Sequence, residues 1–173
     1  MEFSKELKEK FKKAGWSPNK KNKLKNVLKP YNYPQFIIDF LSEYGDLEVF
    51  SHSVPRNKID FRLQIPKLDL SYAMQEDSEV GLFRELLNKN LYYLGEYNPG
   101  GWFICCDDNG YVYKIGDYCF YKGNNLFKGI ENILINDKND SLIYGQKERQ
   151  WFQRSEDFLS FIPKDFEQWV IEH

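Results

Sequence analysis

Few residues of this 173-residue chain are of types that do covalent or metal chemistry. His52 is the only internal histidine, since His173 ends the sequence. A Ser-His-Asp or Cys-His triad would have to use it, and no nucleophile-elbow pattern accompanies it. Between Ser51 and Ser53 it reads as a surface or turn residue. The three cysteines are Cys105, Cys106 and Cys119. Zinc sites need clustered Cys and His, and the sequence has no such cluster. Cys105 and Cys106 are adjacent on an expected strand, so they point to opposite faces and cannot act as a CxxC pair. An odd count is also a poor disulfide framework, so reduced, partly buried thiols are expected. Asp107-Asp108-Asn109-Gly110 is similar to the start of a calcium loop, but the glutamate needed six residues after the glycine falls at Gly116. Neither a P-loop nor GxGxxG occurs. What remains is a group of carboxylates, Glu96, Asp107, Asp108 and Asp117, near the ends of one hairpin. Two of them could serve as an acid–base pair, yet a solvated acidic rim explains them as fully. No catalytic residue, cofactor or metal is expected, and the chain reads as a binder rather than an enzyme.

The elements that position these carboxylates centre on the stretch Leu91 to Asp117. Asn109-Gly110 between two β-prone runs signals a hairpin, because both residues tolerate positive φ. A two-residue type I′ loop would set Cys106 opposite Tyr113 and Ile104 opposite Ile115. One face would then carry Trp102, Ile104, Cys106, Tyr111, Tyr113 and Ile115, and the other Phe103, Cys105, Asp107, Val112 and Lys114. The first set is nearly all apolar or aromatic and the second mixed, which predicts one face on a core and one at least partly wet. Leu91 to Leu94 and Tyr118 to Tyr121 read as flanking strands. Leu47 to Phe50 and Ile59 to Leu63 read as two more, joined by a turn containing Pro55. Phe3, Leu7 and Phe11 recur every four residues between a Ser4 cap and a Gly15 stop, predicting an amphipathic helix. Phe36, Ile37, Phe40, Leu41 and Tyr44 predict a second, after Pro34. Leu24 to Leu28, Val80 to Leu87, Leu126 to Leu134 and Pro163 to Val170 read as further helical turns. The stretch 66–78 is ambiguous, and 136–141 reads as a polar break. Trp16 and Trp102 are expected in the core.

Charge divides unevenly. Residues 1–29 hold ten Lys against three Glu, a net +7, which leaves −9 for the rest of a chain whose net charge is −2. The basic segment, with Lys8, Lys12, Lys13, Lys20, Lys21 and Lys23, could touch phosphates. A solvated helix face followed by a polar loop accounts for it more simply. No secretory h-region precedes it, and no apolar run approaches the ~18 residues of a membrane span. A cytoplasmic protein with no membrane partner is expected.

The order of several short motifs resembles one subgroup of SUKH-superfamily immunity proteins. Leu7 to Trp16 is similar to that subgroup's helix followed by Ala-Gly-Trp. Phe40-Leu41-Ser42-Glu43-Tyr44-Gly45-Asp46-Leu47 is similar to its segment of Phe-Leu, acid, aromatic, two glycines and Leu. Gly95, the run Asp107 to Tyr113, Gly116-Asp117 and Gly123 resemble its Gly, Asp-x-x-Gly-x-Val-Tyr, Gly-Asp and Gly core. Ile130 to Leu134 sits where the family has a Leu-rich helix. Asp46 stands where a second glycine is usual, and Ser17-Pro18-Asn19-Lys20 replaces a Pro-Gly-Arg turn. The resemblance covers roughly residues 6–135 and leaves the tail without a counterpart.

The resemblance implies an α+β fold, an antiparallel sheet with helices packed on one face. It divides the chain into a SUKH-like domain at 1–135 and a C-terminal extension at 136–173 packed on the same domain. It also implies a bacterial immunity protein, an antitoxin that binds and neutralises the C-terminal domain of a polymorphic toxin, often a nuclease. The alternatives are a nucleic-acid or phospholigand-binding module using the basic segment, and a regulatory scaffold. The partner expected is the toxin domain, a protein, not nucleic acid; monomer and dimer stay open. A basic toxin calls for an acidic surface on rigid elements. The expected contact residues are Glu96, Tyr97, Asp107, Asp108, Asp117 and Tyr118, extended by Glu43, Asp46 and Glu48. Trp151, Phe152 and Trp169 compete as aromatic anchors.

Overall fold

Four of the six α-helices among the described residues begin where the sequence offers a side-chain acceptor for their free N–H groups. In the computed structural model, which describes residues 2–18, 24–51, 61–65, 75–98, 101–135, 142–155, 158–162 and 165–172, Ser4 accepts the Leu7 N–H at 3.3 Å and starts α1 (Lys5–Lys13). Gly15 takes φ 95° after it, and the Trp16 N–H returns to the Phe11 carbonyl at 2.9 Å. α2 (Leu24–Leu28) runs into a 3-10 turn at Pro30, and α3 (Gln35–Tyr44) follows Pro34. Ser78 caps α4 (Glu79–Leu87) through the Gly81 N–H at 3.0 Å. Asn125 caps α5 (Leu126–Ile135) through the Lys128 N–H at 2.9 Å. Asp165 caps α6 (Phe166–Glu172) through the Glu167 N–H at 3.0 Å. His52, Pro55, Lys20, Lys21 and Lys23 lie outside the described residues, as do 66–74 and 136–141.

Among the described residues nine strands form one sheet in chain order, each antiparallel to the next. They are β1 (Leu47–Ser51), β2 (Phe61–Ile65), β3 (Leu91–Asn98), β4 (Trp102–Asp107), β5 (Val112–Ile115), β6 (Cys119–Gly123), β7 (Leu142–Gly145), β8 (Gln150–Ser155) and β9 (Phe158–Phe161). The α+β class with an antiparallel sheet is as the sequence implied. The tail beyond residue 135 adds three strands and a helix to the same sheet, with Cys119 paired to Tyr144.

The central hairpin differs from its sequence reading by one residue. Cys105 faces Tyr113 and Cys106 faces Val112, and the loop holds three residues, 108–110, closed by the Gly110 N–H to Asp107 carbonyl bond at 3.0 Å. A type I′ loop needs positive φ at both central residues. Only Gly110 has it here, at φ 90°, which is the left-handed position of a three-residue hairpin. The one-residue shift moves half the hairpin to the other face. Ile104, Cys106 and Val112 join a first core with Leu94 and Tyr97, covered by α1, α2, α3 and α5. Phe103, Cys105, Tyr113, Ile115 and Cys119 join a second. The wet face expected from the sequence is therefore absent at the centre. Helices lie on one face as expected, but α4 and α6 also cover the other, with Val80 and Phe83 buried in the second core and Phe166 and Trp169 packed against it.

The two layers meet closely at β6 and α5. A Cβ on Gly129 would stand 2.3 Å from the Val112 Cβ, and one on Gly123 would stand 2.7 Å from the Gly129 nitrogen. Trp16 and Trp102 are half-buried rather than fully enclosed. Trp16 stacks on Tyr44 at 5.6 Å, and Trp102 lies against Phe120 and over Gly116.

Candidate partner-binding surface

Asp107 ends β4 and is buried, with 2% exposure. Its Oδ1 accepts the backbone N–H groups of Asn109 and Tyr111, both at 2.9 Å. Its Oδ2 accepts the Tyr113 hydroxyl and the Lys89 ammonium, both at 3.0 Å. Lys89 also pairs with Glu167 on α6 and lies 5.5 Å from the Tyr111 ring centre. Burial alone would lower the Lys89 pKa; Glu167 and then Asp107 outweigh it and hold it above its ordinary value. Asp107 therefore builds the turn and ties the tail helix to it. At 2% exposure it offers a partner almost no surface, which corrects the expectation of an exposed acidic contact at this position.

Tyr97 is corrected for a similar reason. It is 2% exposed, and its ring centre is 5.4 Å from the Lys114 ammonium. Trp102 and Phe120 lie 5.2 Å from the same nitrogen. The amine is held by the faces of three rings, a favourable cation–π arrangement for a charge that is 4% exposed. Nothing in the alternation of β5 announced that an inward lysine would be accommodated this way.

The remaining candidates are separated by the fold. Asp117 and Tyr118 are exposed, Tyr118 by 54%, in the β5–β6 turn at the far end of the sheet from residues 108–110. Asp46 is exposed at the α3–β1 corner, in the left-handed conformation at φ 60°, where the resembling subgroup has glycine. Glu48 lies on β1 beside α1, in a pocket shared with Lys5, Lys10 and Lys13, so its surroundings are mixed in charge. Glu96 is half-buried against Tyr93, whose phenol is pushed up by burial first and by Glu96 after it. Trp151 is a core residue, stacked 4.2 Å from Phe166 and 6.1 Å from Tyr113. Phe152 and Trp169 are half-buried.

Among the described residues, Glu43 and Asp108 are the candidates that separate elements bring together in one groove. They edge a groove of about 610 Å³ between α3, the 108–110 turn and the start of α5. Phe36, Phe40, Leu126 and Phe127 supply its apolar lining, and Asp39 adds a third carboxylate. Phe36 is 40% exposed. Phe36, Asp39 and Glu43 share one stripe of α3 by their spacing of three and four. Asp108 accepts Asn90 Nδ2 at 2.8 Å and the Tyr92 hydroxyl at 2.9 Å. Burial and then this carboxylate push the Tyr92 phenol up to about 12. On the other side of the turn lies a polar cleft of about 1080 Å³ holding Arg84, Lys89, Arg149, Glu85 and Glu167. Its charges are of both signs, with Lys89 paired to Asp107 and Glu167 and Arg84 donating to the Leu91 carbonyl. Sequence reasoning missed Phe36 as a surface residue, because its place in the apolar stripe of α3 marked it as core.

The basic segment is less uniform than its sequence. Lys8 pairs with Glu2, and Lys12 with Glu9 at 2.8 Å. Among the described residues no group of three or more His, Cys, Asp or Glu could hold a metal ion, and no helix is long and apolar enough to cross a membrane. All three cysteines are buried and free. Burial pushes the Cys105 thiol up to about 12, and those of Cys106 and Cys119 well above their usual value. Such thiols are poor nucleophiles. The model of a family described as SUKH-3 immunity protein matches residues 3–136, from the start of α1 to the end of α5. No curated protein and no solved structure matches.

Proposed function

Because the chain belongs to the SUKH-3 immunity protein family, we propose that it is an antitoxin that binds and neutralises a cognate bacterial polymorphic-toxin domain, and that this toxin is a nuclease. The family match over residues 3–136 is the observation that carries the reading. Protection by an immunity protein requires occupancy of the toxin, not turnover, so the protein acts as a binder and not as an enzyme. A nuclease must present a basic surface to phosphates. Beyond residue 29 this chain carries a net −9, and opposite charge accelerates encounter and disfavours wrong partners. The cytoplasm, where an intracellular toxin acts, also suits three free thiols.

The runner-up, phosphate binding by the basic segment, is weaker. Among the described residues its lysines alternate with Glu2, Glu6 and Glu9, and two of them are already paired. Phosphate contacts would make binding to nucleic acid fall steeply with salt. The test of the immunity reading is co-expression in a bacterial host with the C-terminal domain encoded by the gene immediately upstream. The antitoxin reading expects growth arrest by that domain alone and restored growth when this chain is present. Arrest that persists at matched expression contradicts it.

A further inference from the structure

Resting on the antitoxin reading, we infer that the groove between α3 and the 108–110 turn is where the toxin domain docks. Its occupant is a basic protein segment that sets one aliphatic or aromatic side chain between lysines or arginines. The groove has the two parts that tight protein contacts need, an apolar centre and a polar rim. Phe36 supplies the accessible centre, 40% exposed on a helix whose neighbouring turns are packed into the core. Its ring rests against the hairpin, 3.9 Å from where a Cβ on Gly110 would stand. An apolar side chain entering beside it would be enclosed from two elements.

The rim fixes the sign of the occupant. Asp39, Glu43 and Asp108 edge the groove, and among the described residues no lysine or arginine lines it. These carboxylates accept neutral hydrogen bonds, Asp39 from Gln35 and Asp108 from Asn90 and Tyr92, so a neutral or acidic segment would leave three negative charges partly desolvated with no opposing charge, whereas a cationic one pairs with them. Preorganisation favours the same place. Asp108 is held by Asn90 and Tyr92, on a turn whose backbone is bonded to buried Asp107. Little side-chain or loop freedom is left to lose on binding. The polar cleft across the turn is a poorer dock, because it mixes Arg84, Lys89 and Arg149 with Glu85 and Glu167, and Lys89 there is already paired with Asp107 and Glu167.

The test uses the whole protein and, as probe, the purified C-terminal domain encoded by the gene immediately upstream. Affinity is measured for the wild type, Phe36→Ala, the Asp39→Asn/Glu43→Gln pair, and Asp117→Asn/Tyr118→Ala at the far end of the sheet. In parallel, a photo-cross-linking amino acid is placed at position 36 or 118. Melting temperatures confirm that the variants fold. The groove reading expects at least tenfold weaker binding for the first two variants and less than twofold change for the third. It also expects a cross-link from position 36 into a Lys- or Arg-containing peptide of the domain. Wild-type binding that survives both groove variants, with cross-linking from 118 instead, overturns the groove while leaving the antitoxin reading intact. No binding by the wild type overturns both.

Discussion

Replacing Asp107 with alanine removes one acceptor from four donors at once. Two are the backbone N–H groups of Asn109 and Tyr111, one is the Tyr113 hydroxyl, and one is the Lys89 ammonium. The site is buried, so water cannot replace the carboxylate freely. An orphaned buried donor costs about 1–3 kcal/mol, and three such neutral donors at the low end come to about 3 kcal/mol. Lys89 keeps Glu167 and partial exposure, so its own loss adds little. Asp107→Ala should therefore lose about 3 kcal/mol, a large share of the 5–15 kcal/mol typical of a domain. Asp107→Asn keeps one oxygen for the turn N–H groups but faces an amide to Lys89 and Tyr113, and should fall between. Asp117→Lys, on an exposed turn, should stay within about 0.5 kcal/mol. Urea unfolding followed by near-ultraviolet circular dichroism measures all three. A loss below about 1 kcal/mol for Asp107→Ala would refute the account of a carboxylate-built turn and return Asp107 to the list of surface residues.

Gly129→Ala should cost about 1–3 kcal/mol, since the new methyl meets Val112 at 2.3 Å and α5 must lift from the sheet; an unchanged urea midpoint would contradict the close approach. Trp151→Ala should cost about 3–5 kcal/mol as a large-to-small change in the second core; a neutral result would mean that the tail contributes nothing to the folded state. Alkaline unfolding should be cooperative with tyrosine ionisation. Burial raises the phenols of Tyr33, Tyr93, Tyr113 and Tyr121 above their usual range. A raised value means that the folded state holds the proton more tightly, so their stabilisation is whole below about pH 10, the ordinary tyrosine value, and is lost as pH rises through the folded values. Tyrosinate absorbance from these residues should appear together with the loss of near-ultraviolet dichroism; early titration with the fold intact would contradict it.

Periodic elements were legible in the sequence because a single pattern dictates each. The stripes of α1 and α3, the Ser4 cap and the antiparallel pairing around residues 91–121 needed only local spacing. The hairpin register was not, because two- and three-residue loops both place Gly110 at a positive φ, and choosing between them decides which side chains share a face. The second core was hidden for the same reason. Its aromatic residues come from alternate positions along β3, β4 and β5, from Phe83 on α4, and from Trp151 far later in the chain, with Phe166 packed on them. Within the candidate surface, Asp108 and Glu43 could be named from charge alone, but Asp107 and Asp108 are neighbours with identical side chains and opposite fates. What separates them is which one the turn geometry points inward, a property of three-dimensional closure. Phe36 was legible as an apolar position and not as an exposed one, because α3 is apolar over more than the stripe it buries.

The central claim is that this chain silences a toxin by occupying it. The most direct measurement is titration of the purified protein into the C-terminal domain encoded immediately upstream, with cleavage of a fluorescent nucleic-acid substrate as the readout. The account predicts activity falling linearly to zero at a 1:1 ratio, with a stable complex of the two chains on size exclusion. Undiminished cleavage in the presence of a large excess of folded protein would contradict it.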